Sequence, residues 1–184
     1  MSQIQRPEFF ELQNGNKAKL PFSDAEYEIR LGKLRALMVG SNVEAILLTS
    51  MHNIAYYSGF LYCSFGRPYA CVVTADRCVT ISANIDAGQP WRRCYGDNLI
   101  YTDWQRNNYW RAVSAVLEDA RSVGIEGDHM TLASRQTMRD MLRDPQFKRN
   151  LKENPGIDID AFYDFMQKAD EVIIEDDELV LRRD

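Results

Sequence analysis

The sequence predicts an α/β fold with a mixed, mostly parallel central sheet that is flanked by helices. Short apolar runs of strand length, such as residues 44–49, alternate with longer amphipathic stretches, such as residues 104–123. A helix-capping pattern precedes the first amphipathic stretch, and a three-residue connection joins two runs rich in β-branched residues. Strands that alternate with helices are typical of a sheet covered on both faces.

The first helix is predicted to begin at Ser23. Ser23 and Glu26 form a capping box, in which the two side chains satisfy backbone N–H groups at the helix start. Gly40 and Asn42 then interrupt the helical pattern. The apolar residues between these signals share one helix face and are Tyr27, Leu31, Leu34 and Met38.

Strands are predicted where short apolar runs lie between turn residues. The predicted strands are residues 44–49, 69–74, 78–82, 99–102, 123–126 and 156–160. Residues 75–77 form a connection of hairpin length between two of these strands. Two further helices are predicted at residues 104–123 and 131–142, and Pro145 ends the second because proline cannot continue the hydrogen-bond ladder.

Three regions are expected along the chain. Residues 1–21 are polar and irregular and are predicted to form an arm, whereas residues 22–165 form the α/β domain. Residues 166–184 are predicted to form a linker and the start of a further helix, since acidic residues before Leu179 suit the positive end of a helix. One or two helical turns are not stable without packing. We therefore expect the chain to be a fragment of a longer protein.

The composition indicates a single globular domain without a surface for nucleic acid or membrane. The chain has 184 residues, 45% of them hydrophobic, and a net charge of -5 without a dense block of Lys and Arg. Neither nucleic acid nor an anionic membrane is an expected partner, since phosphate binding needs concentrated positive charge. The sequence shows no long apolar run and no signal-peptide pattern, so we expect a soluble, cytoplasmic protein.

The sequence shows no evident catalytic or metal-binding motif. His52 and His129 are its only histidines and lie far apart, so neither a metal site nor a cofactor is predicted, and a structural role is favoured for both. No Gly-x-Ser-x-Gly elbow or Gly-rich phosphate loop occurs, and Cys63 beside Ser64 has no evident base. The cysteines lack Cys-x-x-Cys spacing and are expected to be reduced and structural: Cys63, Cys71, Cys78 and Cys94.

Residues 60–70 are the best candidate for a binding loop. They place Phe65 and Arg67 on a Gly-Pro turn between two apolar runs. A guanidinium binds a carboxylate through two parallel hydrogen bonds, and a nearby aromatic face covers a cationic or apolar group of the same ligand. A small zwitterion would therefore suit both residues. The alternative is that Phe65 packs beneath the loop and Arg67 is a solvated surface charge.

Trp91, Arg92 and Arg93 are candidates for a subunit interface. They follow a turn-forming segment, and tryptophan and arginine are enriched at binding hot spots. The alternative is that the segment only caps the sheet.

Four segments, residues 50–54, 60–70, 82–93 and 101–106, together resemble the amino-terminal domain of the creatinases, the creatine amidinohydrolases. The resemblance implies a ribonuclease H-like α/β domain that leans over the active site of the other subunit in a homodimer. It also implies that Phe65 and Arg67 reach into that site, with the arginine binding the carboxylate of creatine or a similar guanidino acid and the phenylalanine forming an apolar wall.

The resemblance implies hydrolysis of creatine to sarcosine and urea, with a histidine of a separate pita-bread domain as the base and without a metal. This chain contains no counterpart of that domain, so the chain alone is expected to be inactive. Within the broader family of creatinase, prolidase and aminopeptidase P, the alternative is a metal-dependent Xaa-Pro peptidase whose ligands lie in the second domain. A further alternative is a free-standing module that dimerises or binds a zwitterion without catalysis.

Overall fold

The structure is a computed structural model that describes residues 7–13, 15–62, 66–86, 89–103, 107–117, 120–142, 172–175 and 178–181. The helices are α1 (Asp24–Gly40), α2 (Met51–Ser58), α3 (Gln89–Arg93), α4 (Asn108–Val116) and α5 (Leu132–Leu142), with a 3-10 turn at Asn84–Asp86. The strands are β1 (Phe9–Glu11), β2 (Ala45–Leu48), β3 (Ala70–Thr74), β4 (Cys78–Ala83), β5 (Asp97–Tyr101), β6 (Val123–Ile125), β7 (Val172–Glu175) and β8 (Glu178–Leu181).

Six of the described strands form one mixed sheet in the order β1-β5-β4-β3-β2-β6. The pairs β4–β5 and β2–β6 are parallel, and the other three pairs are antiparallel. The predicted mixed sheet is confirmed, although its described pairings are not mostly parallel. The short connection at residues 75–77 explains part of this difference, because a tight turn can only join antiparallel strands.

Helices cover both faces of the sheet, as the apolar strands predicted. Leu47 and Val72 pack with α4 in one core cluster, whereas their strand neighbours Leu48 and Val73 pack with α1 and α2 in a second cluster. Successive side chains of a strand point to opposite faces, so strands buried on both sides need apolar residues at nearly every position. Two hydrophobic layers therefore hold the sheet in place.

The first helix has the predicted start and the predicted buried face. The Ser23 hydroxyl accepts a hydrogen bond of 3.3 Å from the Glu26 N–H, which is the capping contact expected from the sequence. The helix ends at Gly40, and Asn42 adopts a positive φ of 55° just beyond it. The four apolar residues of its predicted stripe are buried: Tyr27, Leu31, Leu34 and Met38.

Four of the described helices and strands were not predicted, namely β1, α2, α3 and β7. The arm is not wholly irregular, because Phe9–Glu11 forms an edge strand that pairs with β5. Three residues are too few to show a periodic pattern, so the strand depends on the neighbouring strand for its hydrogen bonds. Helix α2 is capped by Ser50 at its start and by Gly59, with φ 73°, at its end. A side chain at Gly59 would meet the Tyr27 hydroxyl at 2.6 Å.

Two predicted helices differ from the structure. The helix predicted at residues 104–123 is shorter and runs from Asn108 to Val116. The prediction of a helix beginning near Leu179 is wrong, since Glu178–Leu181 is a strand that pairs antiparallel with Val172–Glu175. The aliphatic residues of both segments include β-branched types, which favour strands. The strand predicted at residues 156–160 lies outside the described residues.

No helix in the described part of the chain is long and apolar enough to cross a membrane.

Candidate functional site

The carboxyl ends of β2, β4, β5 and β6 lie at one edge of the sheet, where β3 begins. This arrangement follows from the pairing, since β2 is parallel to β6, β4 is parallel to β5, and β3 runs antiparallel to both of its neighbours. We call the end of the sheet where these four strands finish the carboxyl edge, and the opposite end the amino edge. Loops at the carboxyl ends of strands are where α/β proteins commonly bind ligands.

Arg67 lies at the carboxyl edge, three residues before β3 begins at Ala70. Its Nη1 forms an ion pair with Oδ1 of Asp103, which follows β5. The side chains of Arg67 and Asp103 are 38% and 41% exposed, so a ligand can reach the guanidinium. Phe65, the other predicted substrate-binding residue, lies outside the described residues.

Tyrosine hydroxyl groups hold the segment that carries Arg67. Tyr101 donates a hydrogen bond of 2.8 Å to the carbonyl oxygen of Pro68, and Tyr69 donates one of 3.3 Å to the carbonyl oxygen of Tyr62. Burial raises the pKa of Tyr101, Asp103 raises it further, and Arg67 lowers it. The Tyr101 hydroxyl therefore stays protonated and remains a hydrogen-bond donor to the loop.

A second polar cluster at the carboxyl edge is centred on Glu126, which follows β6. Its carboxylate accepts hydrogen bonds from the Ser50 N–H at 2.7 Å and the Ser50 hydroxyl at 2.6 Å, and also from Thr49 and Asn53. Desolvation by itself raises the pKa of Glu126, but the hydrogen bonds from Ser50, Thr49 and Asn53 outweigh it and lower the pKa below its usual value. Glu126 thus fixes the turn between β2 and α2.

The two histidines lie in different environments. His52 is exposed in the first turn of α2. His129 lies 3.0 Å, through Nδ1, from the Thr49 hydroxyl oxygen beside the Glu126 cluster. Among the described residues, no group of three His, Cys, Asp or Glu side chains is arranged to hold a metal ion.

The predicted interface residues lie away from Arg67. Helix α3 leads into Cys94, which packs with Cys78 at the amino end of β4, so Arg93 and Arg67 belong to different edges. The Trp91 side chain contacts the chain's own amino-terminal arm, since Trp91 Nε1 donates a hydrogen bond of 3.1 Å to the Gly15 carbonyl oxygen. Lys17 covers the same ring, whereas the side chains of Arg92 and Arg93 are exposed.

Three of the predicted structural cysteines lie among the described residues, and all three are free and buried. Cys71 and Cys78 have sulfur atoms 3.5 Å apart, and Cys94 lies beside Lys17. The hydrogen bond between Cys71 and Cys78, together with burial, raises the pKa of the Cys71 thiol well above its usual value. A protonated, buried thiol is a poor nucleophile, which agrees with a structural role.

Sequence reasoning singled out Arg67 as a candidate, which stays a prediction, but gave no sign of Asp103 or Glu126. Asp103 belongs to a segment that contributed to the resemblance, yet its partner cannot be read from the sequence. Glu126 is 77 residues from Thr49 along the chain, and an acidic residue after a short strand gives no sign of such a contact.

Residues 30–150 match the family model described as the creatinase/prolidase N-terminal domain. The creatinase of Bacillus sp. (strain B-0618) is 50% identical to the chain over 136 residues, which cover 71% of this chain and 33% of that enzyme. The chain thus spans about a third of the length of this curated relative.

Solved structures share the fold at lower identity. The N-terminal domain of an X-Pro dipeptidase from Streptococcus pyogenes has a TM-score of 0.55 and 18% identity, and the match covers 61% of this chain and 87% of that one. A proline dipeptidase from Streptococcus pneumoniae has a TM-score of 0.55 and 15% identity, and the match covers 70% and 98% of the two chains. The chain belongs to the creatinase/prolidase N-terminal domain family.

Proposed function

We propose that this chain is the substrate-orienting part of a creatinase-type hydrolase and that Arg67 binds the carboxylate of creatine or a similar guanidino acid. The observation that carries the proposal is the exposed Arg67–Asp103 ion pair at the carboxyl edge. The 50% identity to a creatinase supports this choice of reaction over others of the family.

The energetics favour an exchange of anions at Arg67. An exposed ion pair contributes about 0 to 1 kcal/mol, so the Arg67–Asp103 pair costs little to open. A ligand carboxylate that takes both parallel N–H groups of a guanidinium forms charge-assisted hydrogen bonds that are stronger than neutral ones. Phe65, which precedes Arg67 by two residues, is proposed as the apolar wall of the same site.

The rest of the proposed enzyme lies outside this chain. Water attack on the guanidinium carbon, with release of urea and sarcosine, needs a base that we assign to a second domain, so we expect no turnover by this chain alone. We propose that the working enzyme is a cytoplasmic homodimer that uses no cofactor. Trp91, Arg92 and Arg93 remain our candidates for contacts between subunits. The arm contacts Trp91, whereas the exposed side chains of Arg92 and Arg93 can reach another subunit.

The test is an NMR titration of the chain with creatine and with N,N-dimethylguanidine, which keeps the open-chain guanidinium group but has no carboxylate. Creatine should shift the Arg67 Nε–Hε resonance, and N,N-dimethylguanidine should not. Arg67→Ala should abolish the response, whereas Arg77→Ala, a control that removes another exposed, acid-paired arginine, should retain it.

Two outcomes would contradict the proposal. Equal responses to creatine and N,N-dimethylguanidine would show that Arg67 does not select a carboxylate. Binding of an Ala-Pro dipeptide in preference to creatine would favour the alternative of an Xaa-Pro peptidase.

A further inference from the structure

A cleft of about 380 Å³ opens at the carboxyl edge between β2, α4 and the start of α5. It lies beside the Glu126 cluster, and Pro68 and Tyr69 of the Arg67 loop line it. Neither Arg67 nor Asp103 is among its described lining residues, so the cleft adjoins the carboxylate site proposed above without including its ion pair. Its size falls within the range of about 300–1,000 Å³ that is usual for small-molecule sites.

Aromatic rings form the walls of the cleft. Tyr69 and Tyr109 are each 6% exposed, and Trp110 packs against Tyr109 with ring centroids 4.8 Å apart. Packing holds these rings in position before any ligand arrives, since Tyr109 belongs to a buried core cluster and the partly buried Trp110 packs against that cluster. Such rigid walls favour a flat ring, which stacks on an aromatic face or meets its edge.

His129 lines the cleft, and its neighbours define the tautomer of its neutral ring. Glu126 is ionised at neutral pH because its pKa is lowered, and an ionised carboxylate only accepts hydrogen bonds. The Thr49 hydroxyl, 3.2 Å from Glu126 Oε2, therefore donates to that carboxylate. The Thr49 hydroxyl oxygen can then only accept a hydrogen bond from His129. The proton in this contact, with Thr49 Oγ1 and His129 Nδ1 3.0 Å apart, is therefore on Nδ1. In a neutral ring with a protonated Nδ1, Nε2 is the acceptor.

The lining also excludes strongly charged ligands. None of the described residues that line the cleft is Lys, Arg, Asp or Glu. Moving an ion into a site without a counter-charge is unfavourable. Flat shape, low charge and an N–H donor that matches His129 are thus the properties that a ligand needs.

We propose that this cleft is a second binding site, which takes a small, uncharged, planar ring compound that carries an N–H group. The ring lies between Tyr69, Tyr109 and Trp110, and its N–H donates to Nε2 of His129. Because Pro68 lines the cleft and follows Arg67 directly, an occupant contacts the segment that presents Arg67.

The experiment is an NMR titration of the chain, labelled with ¹⁵N in its histidine rings and backbone, with indole as the probe. Benzofuran is the matched probe, since it has the same shape without the N–H. Ser134→Phe fills the cleft, and Ala133→Phe is the control because Ala133 is exposed on the same helix and outside the lining.

Indole should shift the His129 ring nitrogens and the backbone resonances of the cleft, and it should bind about fivefold more tightly than benzofuran, as expected for one net hydrogen bond. Ser134→Phe should weaken indole binding by about tenfold or more through loss of the buried ring surface, and Ala133→Phe should leave it unchanged. His129→Phe should abolish the preference for indole over benzofuran.

Equal binding of the two probes would overturn the role of His129. The absence of shifts at the cleft, or an equal loss in Ala133→Phe and Ser134→Phe, would overturn the site itself. Arg67→Ala should not affect indole binding. The creatine titration therefore tests the carboxylate proposal, and the indole titration tests the cleft independently of it.

Discussion

The two edges of the sheet hold their cations in different ways. At the amino edge, Lys17 Nζ donates to the carbonyl oxygens of Cys94 at 3.0 Å and Gly96 at 2.7 Å, and it lies 3.5 Å from the Trp91 ring centroid. At the carboxyl edge, Arg67 pairs with the side chain of Asp103, and both are more than a third exposed. One cation binds the chain's own backbone, and the other faces an anion that can be exchanged.

This difference separates a charge with a structural role from the charge that we propose as a ligand contact. A cation that satisfies backbone carbonyl groups ties the arm to the domain, so its removal leaves acceptors unpaired. A cation that pairs with an exposed carboxylate contributes little to folding and can pair with a ligand instead. Variants at the amino edge should therefore change stability, and variants at Arg67 should change binding.

The largest expected effect is on substrate binding in Arg67→Ala. In the intact enzyme, loss of the guanidinium should weaken binding of creatine by about 2 to 5 kcal/mol, because the desolvated substrate carboxylate loses its counter-charge. The free energy of unfolding should change by less than about 1 kcal/mol. Calorimetric titration and urea unfolding measure the two quantities, with Arg77→Ala as the control. A smaller loss of affinity would make Arg67 an ordinary surface charge.

Gly96→Ala tests the amino edge and should act on stability alone. Gly96 has a φ of 84°, and an added Cβ would lie 2.2 Å from the carbonyl oxygen of Cys78. The backbone must shift to relieve this contact, so the free energy of unfolding should fall by about 2 kcal/mol or more in urea unfolding. Gly32→Ala is the control, since nothing lies within 4 Å of its added Cβ and it is in α1. It should raise stability by about 0.5 to 1 kcal/mol. Equal effects of the two variants would contradict the prediction.

Glu126→Gln should reduce stability by about 1.5 kcal/mol at neutral pH, because hydrogen bonds to a charged acceptor are lost. The folded state lowers the pKa of Glu126, so its contribution is fully present above the unfolded pKa of about 4.3 and is lost as the pH falls through the lower folded pKa. Urea unfolding at pH 7 and near pH 3 should show the difference between wild type and variant shrinking with acid. A constant difference would show that the charge of Glu126 is unimportant.

Asp103→Asn should have the smallest effect on stability, below about 0.5 kcal/mol, because it removes only an exposed ion pair. In the creatine titration it should raise the affinity of the chain, since the ligand no longer displaces an anion from Arg67. Asp97→Asn, which removes a carboxylate 3.6 Å from Arg77, is the matched control and should leave creatine affinity unchanged. Weaker binding in Asp103→Asn would show that Asp103 orients Arg67 for the ligand.

Local signals predicted the elements whose stability depends on neighbours in sequence. The capping box at Ser23 and the apolar stripe of α1 are examples, since both rest on contacts within one or two turns. The connection at residues 75–77 likewise predicted the β3–β4 hairpin. The edge strand Phe9–Glu11 was missed because its hydrogen bonds come entirely from β5, which is distant in the sequence.

The site was predictable only in part. Arg67, whose role stays a prediction, was singled out from its position on a turn between two apolar runs and from the resemblance that it supports. Asp103 was not, because nothing in the sequence says that the end of β5 lies beside the start of β3. That proximity exists because β4 pairs with both strands.

The sequence by itself determined the family, the α/β class and the first helix, and it made Arg67 the candidate for binding a carboxylate, because these depend on local pattern and residue chemistry. Only the tertiary structure decided the strand order, the partner of Arg67, the cluster around Glu126 and the cleft beside His129. These features join residues far apart in the chain, and the pairing of strands across the sheet is what brings them to one edge.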